Sequence, residues 1–207
     1  MNNPLSDAIG IMKKDWKLLA GLNALYLCVL VVGAVLALIS PGLQLSMVRY
    51  VGAETIGGPL TNPSGVTDAL AVMAGGLVSS FLLNTLGMIT IPSAVLPIWG
   101  PIIGGARFFI WGVAYVLPLE GVMTPGELIP QYLAIILEGE AYIIAIFACV
   151  RQLSVAAGHM EAGYQWMLKM YGAAVLENLK LLAVVLVLLT ASAIYQAFVI
   201  PVLNGML

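Results

Sequence analysis

Five long apolar runs dominate this chain and restrict what it can fold into. Each is close to the roughly 20 residues that an α-helix needs to cross the hydrocarbon core of a bilayer. The 207 residues are 61% hydrophobic and only 9% charged, with a mean hydropathy of +1.04, whereas soluble domains carry about 25% charged residues. We therefore predict an all-α polytopic membrane helical bundle of about five transmembrane helices, at residues 18–39, 69–91, 98–117, 128–150 and 181–203.

Residues 1–17 predict an amphipathic helix that lies in the membrane interface, ahead of a single transmembrane domain at 18–207. Apolar residues recur there at helical spacing, and lysines cluster toward the first span. These residues are Leu5, Ile9, Met12, Trp16 and Leu19, with Lys13, Lys14 and Lys17. The first apolar run exceeds the ~7–15-residue core of a cleavable signal peptide, so we expect this N-terminus to be retained.

Basic residues predict the orientation of the chain in a cell (cytoplasmic) membrane. Three lysines precede the first span, and Arg151, Lys169 and Lys180 lie between the fourth and fifth. Because basic residues concentrate in cytoplasmic segments, we expect a multi-pass protein with its N-terminus in the cytoplasm and its C-terminus outside.

Ionisable residues interrupt two of the apolar runs. Arg107 lies near the middle of the third, and Glu138 and Glu140 lie in the middle of the fourth. A carboxylate at the centre of a membrane helix costs at least ~2.5 kcal/mol on insertion scales, so it must be paired, protonated or hydrated. We predict a buried polar centre drawn from Arg107, Glu138, Glu140, Gln131, Tyr142, Asn84 and Gln196.

The two glutamates point in different directions on a helix. Glu138 shares a small or polar face, expected to point into the bundle, with Gln131, Ile135, Ala141, Tyr142 and Ala145. Glu140 lies about 200° around the helix, on a face that otherwise suits lipid, with Leu133, Ile136, Ile143, Ile144 and Phe147. An oligomer interface, a second cavity or protonation would satisfy a glutamate on that face.

These predicted polar residues have three interpretations from sequence. Arg107 and Glu138 form a buried ion pair that fixes helix register, or they bind an ion, a proton or a polar solute, or one carboxylate faces a partner protein. Asn84 and Gln196 are weaker candidates, since such residues commonly join helices by hydrogen bonds.

Three prolines, Pro92, Pro97 and Pro101, fall within the apolar segment 91–101. They cannot sit in one continuous helix, because each removes a backbone donor and clashes with the preceding turn. The segment is either a tight cytoplasmic turn pressed into the membrane or a broken half-helix of the kind that binds solutes near the bilayer midplane. The glycines that follow, at 100, 104, 105 and 112, predict close helix packing.

Two further segments carry local signals. Residues 43–67 predict a loop with glycine–proline turns, and Thr124 with Glu127 forms the pattern of a capping box that opens the fourth span.

Catalytic signatures are absent from the sequence, so we do not expect an enzyme. The single histidine, His159, is expected to be solvated, and Cys28 and Cys149 lie inside apolar runs at a spacing that suits neither a disulfide framework nor a zinc site. We expect no catalytic residues, no metal, no cofactor and, at a net charge of −2, no nucleic-acid partner.

Short motifs in the last two spans resemble the stage II sporulation protein M family of integral membrane proteins. The run from Glu138 to Ala145 is similar to its Glu-x-x-Ala-x-x-x-Ala stretch, and the run from Ala193 to Pro201 to its closing Ala-x-x-Glu-x-Phe-x-x-Pro pattern. The acidic residue of that last motif is the neutral Gln196 here, which removes a second charge from that position. The resemblance covers roughly residues 75–203 and implies a polytopic helical protein without a catalytic site of its own. In endospore-forming members it implies a scaffold that works with peptidoglycan-remodelling partners, and in relatives from organisms that do not sporulate a transport or assembly role stays open.

Two functions follow as hypotheses. The first is a translocation protein for an ion, proton or small polar solute, which the helix-breaking prolines and the charged centre favour. The second is a membrane scaffold or assembly subunit, which the resemblance favours. The expected partners are the lipid bilayer, a second copy in a homodimer or small homo-oligomer, and membrane or cell-envelope proteins.

Overall fold

The computed structural model describes residues 4–54, 66–158 and 164–203. Within these ranges the chain is helical apart from short turns and contains no β-strand, which confirms the predicted all-α class. The glycine–proline turns after residue 56 and His159 lie outside the described residues. In chain order, the described helices are α1 (Pro4–Lys14), α2 (Trp16–Ile39), α3 (Pro41–Glu54), α4 (Val66–Val95), α5 (Trp99–Tyr115), α6 (Pro125–Gly158) and α7 (residues 164–203).

Four stretches of the described helices are long and apolar enough to cross a membrane, judged by length and composition. They are Trp16–Ile39, Val66–Val95, Pro125–Val155 and Lys169–Leu203. Large apolar side chains such as Leu38, Ile39 and Val95 are exposed on their outer sides, and a surface of this kind suits lipid better than water. The remaining predicted span, 98–117, corresponds to the shorter helix α5, whose 17 residues extend about 26 Å at 1.5 Å per residue.

Helix α3 occupies part of the segment predicted as a loop, so that prediction is wrong for residues 43–54. One side of α3 packs against α5, with Gln44 and Val48 buried one turn apart. The Gln44 amide donates a 2.7 Å hydrogen bond to the Leu117 carbonyl beyond the end of α5. The segment is too polar to read as a span, and packing of its buried side against α5 is what stabilises the helix.

Helix α6 is the centre of the bundle. Every residue from 141 to 149 is buried, because α2, α4, α5 and α7 all contact this helix. The face assigned to lipid is therefore only partly right. Leu133 and Ile136 are exposed, but Ile143, Ile144 and Phe147 further along the same face are buried.

Glycines allow α2 and α5 to approach closely. A Cβ atom on Gly112 would overlap the carbonyl of Leu30, and one on Gly33 would lie 2.9 Å from the backbone nitrogen of Val113. At Gly104 the space of a side chain is taken by Ile146 of α6. The predicted close packing of the glycine-rich helix is thus met by helices of the same chain.

The proline segment is a tight turn between α4 and α5, while its predicted position on the cytoplasmic side of a membrane stays a prediction. Pro92 lies in the last turn of α4, Pro97 lies in the turn, and Pro101 lies in the first turn of α5. Side chains from other helices donate to carbonyl groups in and beside this turn. The Tyr171 hydroxyl donates to the carbonyls of Ser93 and Ala94 at 3.3 and 2.9 Å, and the Tyr26 hydroxyl donates to that of Pro101 at 3.0 Å.

The capping box that opens α6 is confirmed. The Glu127 carboxylate accepts hydrogen bonds from the Thr124 backbone N–H at 2.7 Å and from its hydroxyl at 2.9 Å, while the Glu127 N–H donates back to the Thr124 hydroxyl. The turn before it uses a left-handed glycine, Gly121, with φ of 73°.

Helix α1 covers Pro4–Lys14 of the helix predicted at residues 1–17, and α2 begins at Trp16 after a single intervening residue. Its position in a membrane interface stays a prediction. Ala8 and Ile11 are buried where α1 packs against α7, and Lys180 of α7 pairs with Asp7 at 3.0 Å. Leu5 and Ile9 of α1 and Trp16 of α2 are exposed, as are Lys13, Lys14 and Lys17.

Candidate functional site

Two stretches of π-helix interrupt the bundle, and each carries a polar residue singled out from the sequence. The first spans Val78–Thr90 of α4 and contains Asn84, and the second spans Tyr195–Val199 of α7 and contains Gln196. In the first stretch the Thr85 hydroxyl donates to the Ser80 carbonyl at 2.8 Å. A π-helix is usually a single turn and often marks a functional site, so 13 consecutive residues are a strong departure from regular structure.

Glu138 of α6 accepts two hydrogen bonds on the same carboxylate oxygen. The Ser80 hydroxyl of α4 donates to Oε1 at 2.8 Å, and the Tyr142 hydroxyl, one turn further along α6, donates to Oε1 at 2.5 Å. Glu138 is half-buried and Tyr142 is fully buried. The small face predicted around Glu138 does point inward, since Ala141 and Ala145 are buried as well.

Arg107 of α5 reaches the same cluster from the opposite side. Its Nη1 donates to the Tyr142 hydroxyl at 3.1 Å, and its Nη2 donates to Oδ1 of Asn84 at 2.7 Å. The guanidinium also lies over the Tyr142 ring, 5.1 Å from its centroid, where the negative face of the ring favours a cation.

The first of the three interpretations from sequence, a direct ion pair between Arg107 and Glu138, is wrong. No N–O distance of 4.0 Å or less joins them, and the ion pairs among the described residues lie elsewhere. The Tyr142 hydroxyl lies between the two charges, accepting from Arg107 and donating to Glu138. We call Ser80, Asn84, Arg107, Glu138 and Tyr142 the polar centre.

Aromatic rings border the polar centre on one side. Tyr26, Phe108, Trp111 and Tyr142 follow one another with centroid distances of 4.9, 5.6 and 5.6 Å. These rings join α2, α5 and α6 beside the polar centre.

Several polar atoms in and around the polar centre have no partner among the described residues. Oε2 of Glu138 accepts no hydrogen bond there, and three of the five N–H groups of Arg107 are unused once its two hydrogen bonds are counted. The buried Tyr115 hydroxyl also has no hydrogen-bond partner, and it interacts electrostatically with Glu138. A buried polar atom without a partner is unusual in a folded protein, and among these atoms the Tyr115 hydroxyl is the one that is fully buried.

Glu140 does not belong to the polar centre. The side chain of Asn23 in α2 interacts with it, on the other side of α6. Glu140 therefore has a polar neighbour within the chain, and the oligomer interface stays a prediction.

The other predicted residues lie at separate positions. The Gln196 amide donates to the Ser192 hydroxyl at 3.1 Å, and Ser192 donates to the Ala134 carbonyl at 3.3 Å, one turn before Glu138. Gln131 is half-buried two turns before Glu138, and the three prolines form the turn described above.

Sequence reasoning missed three residues at these sites: Ser80, Tyr115 and Asn23. Asn23 carries the signal that identified Asn84, an amide inside an apolar run, and could have been found in the same way. Serine and tyrosine are common in membrane helices, so Ser80 and Tyr115 carry no comparable signal.

A second polar cluster, at the end of α6, was also missed. Arg151 pairs with Asp15 at 2.8 Å and with Glu177 at 3.2 Å, and it donates to Asn178 at 3.2 Å. The partners are distant in the sequence, and Arg151 itself was used only to orient the chain.

The described residues contain no group of three or more histidine, cysteine, aspartate or glutamate side chains placed to hold a metal ion. Comparisons with protein-family models, curated proteins and solved structures found no match. The resemblance to the stage II sporulation protein M family therefore rests on the short motifs around Glu138 and Gln196 alone.

Proposed function

We propose that this chain is a non-enzymatic integral membrane protein that translocates an ion, a proton or a small polar solute through its polar centre. The observation that carries the proposal is the incomplete pairing of Arg107 and Glu138. Each charge is half-buried and held by neutral partners, and each keeps hydrogen-bonding capacity that the described protein does not use. Charges inside a membrane bundle most often mark a pathway for ions, protons or substrates.

The long π-helical stretch supports the same proposal. Ser80 and Asn84, which bind Glu138 and Arg107, both lie in it. The widened turn changes the direction in which their side chains project, and π-helical turns frequently occur at functional sites.

We further propose five spans in a cell membrane, with α5 as the third. Contacts between helix ends support this arrangement. Asp15, before α2, meets Arg151 near the end of α6, and Tyr171 near the start of α7 meets the end of α4. Gln44 near the start of α3 meets Leu117 just beyond α5. The first two contacts place the start of α2, the end of α4, the end of α6 and the start of α7 on one side of the bundle, and the third places the end of α5 on the other side. Helix α5 therefore crosses the bundle, and the basic residues favour the cytoplasm for the side where α2 begins.

Flux measurements in proteoliposomes test the proposal. Purified protein is reconstituted, and proton, potassium and chloride flux is followed under imposed gradients for the wild type, Glu138→Gln and Glu140→Gln. We expect flux of at least one ion in the wild type and its loss in Glu138→Gln, which keeps the size of the side chain. Glu140→Gln is the matched control, because Glu140 lies two residues away and pairs with Asn23 instead.

The scaffold is the competing function, and the same protein preparation decides between them. Absence of flux under every gradient, together with a cell-envelope protein recovered with the wild type, would favour the scaffold. Equal flux in the wild type and Glu138→Gln would place the pathway away from the polar centre. The homo-oligomer stays a prediction from sequence, since Glu140 and the packed glycines find their partners within one chain.

A further inference from the structure

We propose that the polar centre moves a small monovalent anion together with a proton, with Arg107 as the anion-binding group and Glu138 as the proton-binding group. This inference rests on the proposed translocation function and names its substrate class. It follows from which atoms are free, from where a proton can be placed, and from the total charge that the bundle can hold.

The free atoms on one side of the polar centre are mainly donors. Arg107 retains three N–H groups, and the buried Tyr115 hydroxyl has no hydrogen-bond partner among the described residues. Both lie on α5, and Tyr115 interacts electrostatically with Glu138. A guanidinium with free N–H groups is suited to an anion.

Glu138 can take up a proton without losing a hydrogen bond. Ser80 and Tyr142 both donate to Oε1, which serves equally as a carboxylate oxygen or as the carbonyl oxygen of a neutral acid. The proton would be carried by Oε2, which has no partner in the described part of the chain. Protonation therefore leaves the connections between α4 and α6 intact.

The groups that face Glu138 decide how anion binding by Arg107 is linked to proton uptake by Glu138. The charged or titratable side chains that interact with it are Arg107 and Tyr115 of α5 and Tyr142 of its own helix, while α4 contributes the neutral Ser80 and Asn84. With Glu138 ionised, Arg107 and Glu138 sum to zero charge. An anion bound to Arg107 would leave a net negative charge, and protonation of Glu138 restores zero.

Electroneutrality thus couples the anion to the proton. An uncompensated charge inside a membrane bundle is costly, so the doubly loaded and the empty states are favoured over either singly loaded state. Each ligand then raises the affinity for the other by the same factor, which for linked sites is typically about 5–150-fold.

Acidification of vesicles in the absence of an ionophore tests this inference. Proteoliposomes that contain a pH dye receive an inward gradient of chloride or nitrate, with no potassium gradient and no valinomycin. We expect the lumen to acidify, because an anion and a proton enter together without a net charge movement. Clamping the membrane potential at zero with potassium and valinomycin should leave the initial rate unchanged.

The variants separate the two binding groups. In Glu138→Gln, acidification should be lost while exchange of radioactive chloride across the membrane continues, because the anion site keeps Arg107. Arg107→Gln should lose both the acidification and the chloride exchange, and Glu140→Gln should behave as the wild type. Chloride binding to the purified wild type should tighten about 5–150-fold between high and low pH, and that pH dependence should vanish in Glu138→Gln, whose folding is checked by its unfolding temperature.

Chloride or nitrate flux that requires valinomycin would show uncoupled anion movement and overturn the inference while leaving translocation intact. So would flux of protons or cations without any anion, or unchanged acidification in Glu138→Gln. Absence of flux for every ion would reject both this inference and the proposed function.

Discussion

The Tyr142 hydroxyl connects the two charges of the polar centre. It accepts from Arg107, donates to Glu138, and belongs to a side chain that is fully buried. Glu138 and Tyr142 are one turn apart on α6, so a single helix fixes the distance between the carboxylate and the hydroxyl. The two charges consequently communicate through a neutral group rather than by direct contact.

Removal of that hydroxyl should destabilise the bundle. We expect Tyr142→Phe to lower the free energy of unfolding in detergent by about 1–3 kcal/mol, because a half-buried donor and a half-buried acceptor lose their shared partner. The control is Tyr132→Phe on the same helix, where an exposed hydroxyl donates to the Val116 carbonyl at 2.8 Å and its loss should cost at most about 1 kcal/mol.

A double-mutant cycle adds a sharper criterion. Arg107→Gln and Glu138→Gln should be non-additive in the wild type, and the coupling should fall in the Tyr142→Phe background. Strict additivity in the wild type would show that the hydroxyl transmits no interaction between the two charges.

Among the helices, α2 and α5 make the closest backbone approach described above. Gly112 faces the Leu30 carbonyl there without space for a side chain, whereas Gly105, two turns earlier in α5, has no atom within 4 Å of the position that a methyl group would take. The same helix therefore offers a constrained and an unconstrained glycine.

Gly112→Ala should lower the free energy of unfolding by about 1–3 kcal/mol, since the new methyl group forces rigid backbones apart. Gly105→Ala should be neutral or stabilising by up to about 1 kcal/mol, because alanine has the higher helix propensity. The two substitutions are compared by denaturant unfolding in the same detergent. Equal effects would contradict the close backbone approach of α2 and α5.

For the whole molecule, the contacts between helix ends assign every described connection to one of two sides. The proposed five spans place Lys14 in the cytoplasm and Glu120 outside. Both residues are exposed, so cysteines introduced there should be accessible to reagents.

In intact cells, a membrane-impermeant maleimide should label Glu120→Cys, while Lys14→Cys should react only after the membrane is permeabilised. The experiment uses a background in which Cys28 and Cys149 are replaced, and that background without a new cysteine is the control. Labelling of both positions from the same side would reject α5 as a span.

Polar residues that interrupt an apolar run could be predicted from the sequence as members of the site. Residues that take part only through a tertiary contact could not. Arg107, Glu138 and Asn84 are conspicuous in apolar runs and do meet in the structure, whereas the position of Tyr142 between the two charges depends on how α5 and α6 cross. The buried end of the supposed lipid face, at Ile143 and Phe147, shows the same limit, because helical periodicity cannot reveal how many neighbours surround a helix. Helix α3 was missed because packing against α5, rather than its own hydropathy, stabilises it.

The attachment of α1 to α7 has a consequence for the order of events during synthesis. Asp7 and its partner Lys180 are separated by 173 positions, and Asp15 and Arg151 by 136. Since chains emerge from the ribosome N-terminus first, α1 is made long before the helices that hold it. A nascent chain would carry this segment unattached until α7 is inserted, so the ion pairs that join these distant segments form only at a late stage of assembly.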